Sequence, residues 1–110
     1  MPFPALPAAI ISGLLVSTPV AGGVEGAYAA LIYDFEVAMI CGLVNGDIAE
    51  AYRQTRGDLE QSSALSTEEL RRIRIRAMAA AEREYDNRGL GGHRPWCQGE
   101  GRDGVGRILR

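Results

Sequence analysis

The residues most suited to chemistry are two cysteines, Cys41 and Cys97, and one histidine, His93, four positions before Cys97. A histidine beside a cysteine can act as the base for a thiol nucleophile, and both residue types bind zinc. A zinc site needs three or four ligands, however, and these residues supply at most three. Catalytic redox cysteines are usually separated by only two residues, whereas these lie 56 positions apart. We therefore predict no catalytic residue, no metal site and no cofactor.

The same two cysteines have a structural interpretation. An exported chain that contains only two cysteines usually joins them in a single disulfide. Closing a loop of this length restricts the unfolded chain by about 4 kcal/mol on the entropy model. We predict a bridge between Cys41 and Cys97, with free buried thiols and a redox or metal role as the alternatives.

Two acidic residues, Asp34 and Glu36, resemble a general acid and base pair at first sight. On a helix, residues two positions apart point to nearly opposite sides, so these carboxylates cannot act on one bond. Asp34 lies in a segment that only it and Glu36 interrupt with charge. Because an unpaired carboxylate in a core is costly, a buried Asp34 would need a partner, and we predict that this partner is an arginine.

The N-terminal segment has the character of an export signal. Residues 1–24 contain no charged side chain, and residues 8–16 form a short apolar run followed by small residues at 21–23. The basic start of a usual signal peptide is missing. We predict a signal peptide over residues 1–22; an uncleaved membrane anchor and a cytosolic or wrongly assigned start are the alternatives.

Three helices are predicted in the rest of the chain. Residues 29–44 are apolar on nearly all sides, which is typical of the buried centre of a bundle. Asn45-Gly46 should end this helix, and Asp47 should cap a second helix over 47–55, followed by a polar connection over 57–64. The third helix, 67–87, begins with the capping box of Ser66 and Glu69 and carries an apolar stripe rich in alanine.

The C-terminal segment has a different composition. Residues 89–110 are rich in glycine and match neither helix nor strand, apart from a short apolar stretch, 105–109, that could dock as a helix. The predicted fold is all-α: a small bundle of three main helices in one domain, residues 23–110. In this prediction the C-terminal segment 89–110 is irregular, a glycine-rich loop pinned by the disulfide.

Charge and composition restrict the function further. A net charge of -2 argues against a nucleic-acid binder, which would normally be basic. We expect a non-enzymatic exported periplasmic or envelope protein, a binding module or an accessory subunit whose partner is another envelope protein. Membrane contact is expected only through residues 1–22, if they are retained.

The expected contact surface is the C-terminal segment near the disulfide. Arginine and tryptophan often contribute most of the binding energy at interfaces. The candidate partner-binding residues are Arg88, His93, Arg94 and Trp96. The alternative is a small thiol-dependent enzyme centred on Cys97 and His93.

Overall fold

The computed structural model describes the backbone of residues 7–88 and 92–110 and the side chains of residues 23–88 and 92–110. The fold is all-α, as predicted. Its elements are α1 (Pro7–Ile40), α2 (Gly46–Ser62), α3 (Thr67–Asp86), α4 (His93–Trp96), a π-helical turn (Cys97–Gly101) and α5 (Arg102–Leu109). The predicted signal peptide, residues 1–22, falls on residues whose side chains lie outside this description. That prediction stays open.

Helix α1 is the centre of the bundle and packs against α2, α3, the π-helical turn and α5. It starts well before the predicted 29–44 helix and ends earlier, at Ile40. The end is set by Gly42, whose φ of 69° is the left-handed conformation that stops a helix. The amide of Leu43 then donates to the carbonyl of Ala38 over 2.8 Å, which completes a Schellman motif.

Helix α2 differs from its prediction at both ends. Its cap is Asn45, whose side chain accepts from the Ile48 amide over 2.9 Å, so the prediction that Asp47 is the cap was wrong. The helix continues to Ser62, through the predicted polar connection. Leu59 packs into the core on this extension, and that burial outweighs the low helix propensity of Gly57.

Helix α3 confirms the strongest prediction from the sequence. The Ser66 hydroxyl accepts from the Glu69 amide, and the Glu69 carboxylate accepts from the Ser66 amide. The helix ends at Asp86, within one residue of the predicted end. The side chains that it buries come from the predicted stripe: Leu70, Ile73, Ala77 and Ala81.

The C-terminal segment is helical where an irregular loop was predicted. From His93 to Leu109 the chain forms α4, the π-helical turn and α5 without interruption. Both Gly101 and Gly104 are buried, Gly101 against Cys41 and Leu43 just after α1 and Gly104 against Asp34 of α1. A Cβ at Gly101 would lie 3.3 Å from Cys41 Sγ, and one at Gly104 would lie 3.2 Å from Asp34 Oδ1. Close packing and the disulfide thus stabilise a helix that composition alone disfavours. The sequence also predicts that Gly89 ends α3 by taking the left-handed conformation, but Gly89 lies outside the described residues.

The main helices alternate in direction along the chain, so that α1 and α3 are parallel to each other. Tyr28, near the start of the packed part of α1, contacts Arg74 of α3, and Val37, further along α1, packs against Ala81. Helix α2 runs antiparallel to α1, and so does the C-terminal helix, which passes Cys41 before Asp34. Three buried clusters line α1, on the sides of α3, of α2 with α5, and of Trp96.

Within the part of the chain covered by the structure, no helix is both long enough and apolar enough to cross a membrane.

Candidate functional site

The two cysteines form the predicted disulfide. Cys41 follows the end of α1 and Cys97 begins the π-helical turn, with their Cα atoms 5.6 Å apart. The bridge therefore fastens the C-terminal helix to the central helix. While it is intact, neither sulfur is available as a nucleophile or a metal ligand.

His93 has a structural environment. Its ring stacks on Tyr85, with centroids 3.9 Å apart and an angle of 11° between the planes. Its Nε2 lies 3.1 Å from the backbone carbonyl oxygen of Tyr85, within hydrogen-bond distance. These two contacts join the start of α4 to the end of α3.

The other predicted contact residues divide into one buried and two exposed side chains. Trp96 is only 8% exposed and packs against Val37 and Ala81, so its side chain belongs to the core and cannot serve as an open contact surface. Arg88 and Arg94 are exposed, and Arg88 donates to Glu84 over 2.7 Å. Only the arginines of this set are therefore open to a partner.

The predicted partner of Asp34 is Arg107, on α5. Asp34 is 5% exposed, and its two carboxylate oxygens accept from Nε and Nη2 of Arg107, each over 2.9 Å. These hydrogen bonds raise the pKa of Arg107 above its usual range. This bidentate pair is a second connection between α1 and the C-terminal helix.

A polar cluster that the sequence did not indicate lies at the opposite end of the bundle from the disulfide. One oxygen of Glu60, Oε2, accepts from the Tyr28 hydroxyl and from Arg56 Nε, the latter over 2.9 Å. Arg74 Nη1 lies 3.4 Å from the same oxygen and donates to the Tyr28 hydroxyl over 2.8 Å. Three helices thus meet at a single carboxylate.

Titration in this cluster follows its geometry. Burial tends to raise the pKa of Glu60, but the hydrogen bonds from Tyr28 and Arg56 outweigh it, so the pKa is lowered. The pKa of Tyr28 is raised, first by burial and then by its hydrogen bond to Glu60. At neutral pH Glu60 is therefore ionised and Tyr28 is a neutral donor.

The cluster borders an open groove, which we call the arginine groove, with a volume of about 530 Å³. It lies between the C-terminal half of α2, the α2–α3 connection and the start of α3. Its lining comprises Arg56, Gly57, Glu60, Gln61, Leu65, Thr67, Leu70 and Arg74. Its charged residues are two arginines and one glutamate, which leaves an excess of positive charge.

Sequence reasoning missed this groove because its members are far apart in the chain. Tyr28 and Arg74 are 46 positions apart, and Tyr28 and Glu60 are 32 apart. The only local signal was the spacing of Arg56 and Glu60, four residues apart on a helix, which is typical of any solvated ion pair.

Among the residues whose side chains the structure describes, no three His, Cys, Asp or Glu residues are grouped closely enough to hold a metal ion. Comparison with protein-family models, with curated proteins and with solved structures found no match to this chain.

Proposed function

We propose that this chain is a non-enzymatic exported protein of the cell envelope that acts by binding, as a binding module or as an accessory subunit of a larger assembly. The observation that carries the proposal is the Cys41–Cys97 disulfide, which uses both cysteines of the chain. Such bridges persist in oxidising compartments and are rare in the cytosol.

The end of the bundle near the disulfide supports a contact role. The exposed Arg88 lies just after α3 and the exposed Arg94 lies in α4, while His93 and Trp96 of α4 pack against Tyr85 and the core. Arg94 is therefore carried by a helix that is packed in place, which lowers the entropic cost of binding. The proposed partner is another envelope protein.

Fractionation of the native host tests the compartment. The proposal predicts that gentle osmotic release frees the chain together with a periplasmic marker enzyme, with residues 1–22 removed. Intact-mass measurement identifies the N-terminus. Retention of the chain with a cytosolic marker would contradict export, and a membrane-bound chain with an intact N-terminus would favour the anchor.

The contact surface is tested by substitution. We expect Arg88→Ala with Arg94→Ala to lose at least one protein that crosslinks to the wild-type chain in envelope extracts. Arg71→Ala, at an exposed arginine of α3, is the matched control and should keep all partners. An identical set of partners for the double variant and the wild type would count against this surface.

The alternative function is a small thiol-dependent enzyme centred on Cys97 and His93. It requires a free Cys97 thiolate within reach of the histidine. In the structure the Cys97 sulfur is bonded to Cys41, and His93 Nε2 is within hydrogen-bond distance of a backbone carbonyl. Selective labelling of Cys97 by iodoacetamide in the purified, unreduced protein would favour the enzyme.

A further inference from the structure

The arginine groove holds two guanidinium groups in defined positions. Arg56 is fixed by Glu60 and lies with its Nη1 3.4 Å from the Tyr52 hydroxyl, while Arg74 is fixed by the buried Tyr28. Both arginines remain partly exposed, at 35% and 24% of their side-chain surface. They are therefore oriented before any ligand arrives, and less entropy is lost when one binds.

The donors of these arginines are only partly used. Arg56 donates through Nε and Nη1, and Arg74 through Nη1. Within the described part of the chain, Nη2 of both residues and Nε of Arg74 make no hydrogen bond. One carboxylate, Glu60, faces the two positive charges. The groove therefore keeps a net positive charge, which favours binding of a further anion.

The groove also has apolar lining. Leu65 and Leu70 line it together with the charged groups, and Gln61 and Thr67 add polar atoms. Its volume of about 530 Å³ lies within the usual range for small-molecule sites, roughly 300–1,000 Å³. A ligand with an anionic head and a short apolar tail would match both kinds of lining.

We propose that the arginine groove binds a small organic anion, a carboxylate or a phosphate ester, through Arg56 and Arg74, with its apolar substituent against Leu65 and Leu70. This inference rests on the proposed function as a binding protein and names its ligand class. The guanidinium donors bind the anionic oxygens, because planar N–H groups match both carboxylate and phosphate.

A purely structural role for the cluster gives a different expectation for Glu60. If the arginines only anchor Glu60, then Glu60→Gln lowers the melting temperature and creates no affinity for anions. If the groove is an anion site, the negative charge of Glu60 opposes the ligand by partly neutralising the two arginines. Glu60→Gln should then tighten anion binding roughly threefold or more, because removal of this charge leaves the arginines with a larger local positive charge.

The test is an NMR titration of the oxidised full chain, followed on the arginine Nε–H signals. The probes are hexanoate, hexyl phosphate, acetate and inorganic phosphate. We expect saturable shifts of Arg56 and Arg74 with at least one six-carbon probe, about tenfold tighter than with the matching small anion because of the buried methylenes. Comparison of the two six-carbon probes distinguishes the carboxylate from the phosphate ester.

Variants identify the groove as the site. Arg56→Gln should weaken binding of the better probe about tenfold, whereas Arg71→Gln, at an exposed arginine paired with Glu68, should leave it unchanged. Glu50→Gln is the matched control for Glu60→Gln, since Glu50 is an exposed glutamate that pairs with Arg53. Melting curves confirm that each variant is folded before titration.

Four results would overturn the proposal: no saturable shift with any probe, equal losses in Arg56→Gln and Arg71→Gln, six-carbon probes no tighter than the small anions, or no tighter binding in Glu60→Gln than in Glu50→Gln. None of them bears on export or on the disulfide. Failure of the groove is thus distinguishable from failure of the proposed function, which fractionation tests independently.

Discussion

Asp34 shows how much a single residue contributes to this fold. Its place in an apolar helix predicted that, if buried, it would have an arginine partner, and the structure shows both the burial and the partner. The sequence could not identify Arg107 as that partner, because 73 positions separate them and several arginines were available. The type of interaction follows from burial, whereas the choice of partner follows from the tertiary packing.

Loss of Arg107 should be costly for this reason. Arg107→Ala leaves a buried carboxylate without its two hydrogen bonds, and we expect the free energy of unfolding to fall by about 2 kcal/mol. Arg102→Ala, at an exposed arginine of the same helix, is the control and should change it by less than about 0.5 kcal/mol. Urea denaturation measures both. Equal effects would show that the ion pair adds no stability.

Glu36 gives a second prediction at this scale, for pH dependence. Burial, and then the nearby Glu82 carboxyl, raise the pKa of Glu36 above its ordinary value of 4.5. The protonated form of Glu36 is therefore favoured in the fold: its contribution to stability is fully present below pH 4.5 and is lost as pH rises through the higher folded pKa. Above that pKa, burial and the nearby Glu82 carboxyl disfavour the ionised Glu36.

Glu36→Gln should accordingly raise the melting temperature at pH 7. The corresponding gain in the free energy of unfolding is on the order of 0.5 kcal/mol. The difference from wild type should shrink as the pH approaches 4.5. Thermal denaturation between pH 4 and 8 measures it, with Glu25→Gln, at an exposed glutamate of α1, as the control. A melting temperature that is lower than wild type at pH 7 would contradict the pairing.

At the scale of elements, the sequence predicted helices with strong local signals and missed the one that depends on tertiary contacts. The capping box of Ser66 and Glu69 marked the start of α3 to the residue. The only local signal for the C-terminal helix is the apolar stretch 105–109, because the glycines before it disfavour helix until Gly101 packs against Cys41 and Gly104 against Asp34. Composition therefore predicted a loop, whereas close packing stabilises a helix.

Two glycines of α5 give a matched test of this explanation. A Cβ at Gly104 would lie 3.2 Å from Asp34 Oδ1, and the Arg107 hydrogen bonds hold that carboxylate in place, so Gly104→Ala should destabilise the fold by about 1 kcal/mol or more. A Cβ at Gly106 meets no atom within 4 Å, so Gly106→Ala should stabilise the fold by about 0.5–1 kcal/mol. Denaturant unfolding compares them. Stabilisation by both would show that α5 is not packed as described.

At the scale of the whole molecule, α1 is the axis on which the other helices pack. Its apolar character on nearly all sides predicted this position. The arginine groove was not predictable in the same way, since it combines Tyr28, Glu60 and Arg74 from three helices. Patterns within one helix predict what it buries, but not which polar groups of different helices meet.

The disulfide should stabilise the molecule as a whole and the C-terminal helix in particular. Replacing both cysteines with serine should lower the free energy of unfolding by roughly 3–4 kcal/mol, because the unfolded chain regains a long loop. Hydrogen exchange should then accelerate more in residues 97–109 than in α3. Equal acceleration in both regions would mean that the bridge has no local role.

The central claim, an exported protein closed by one disulfide, is tested most directly by trapping thiols in the native host. Cells are quenched with acid, alkylated under non-reducing conditions, and the intact mass of the chain is measured before and after reduction. The account predicts no alkylation of Cys41 or Cys97 before reduction and alkylation of both after it. Labelling of either cysteine before reduction would contradict the account.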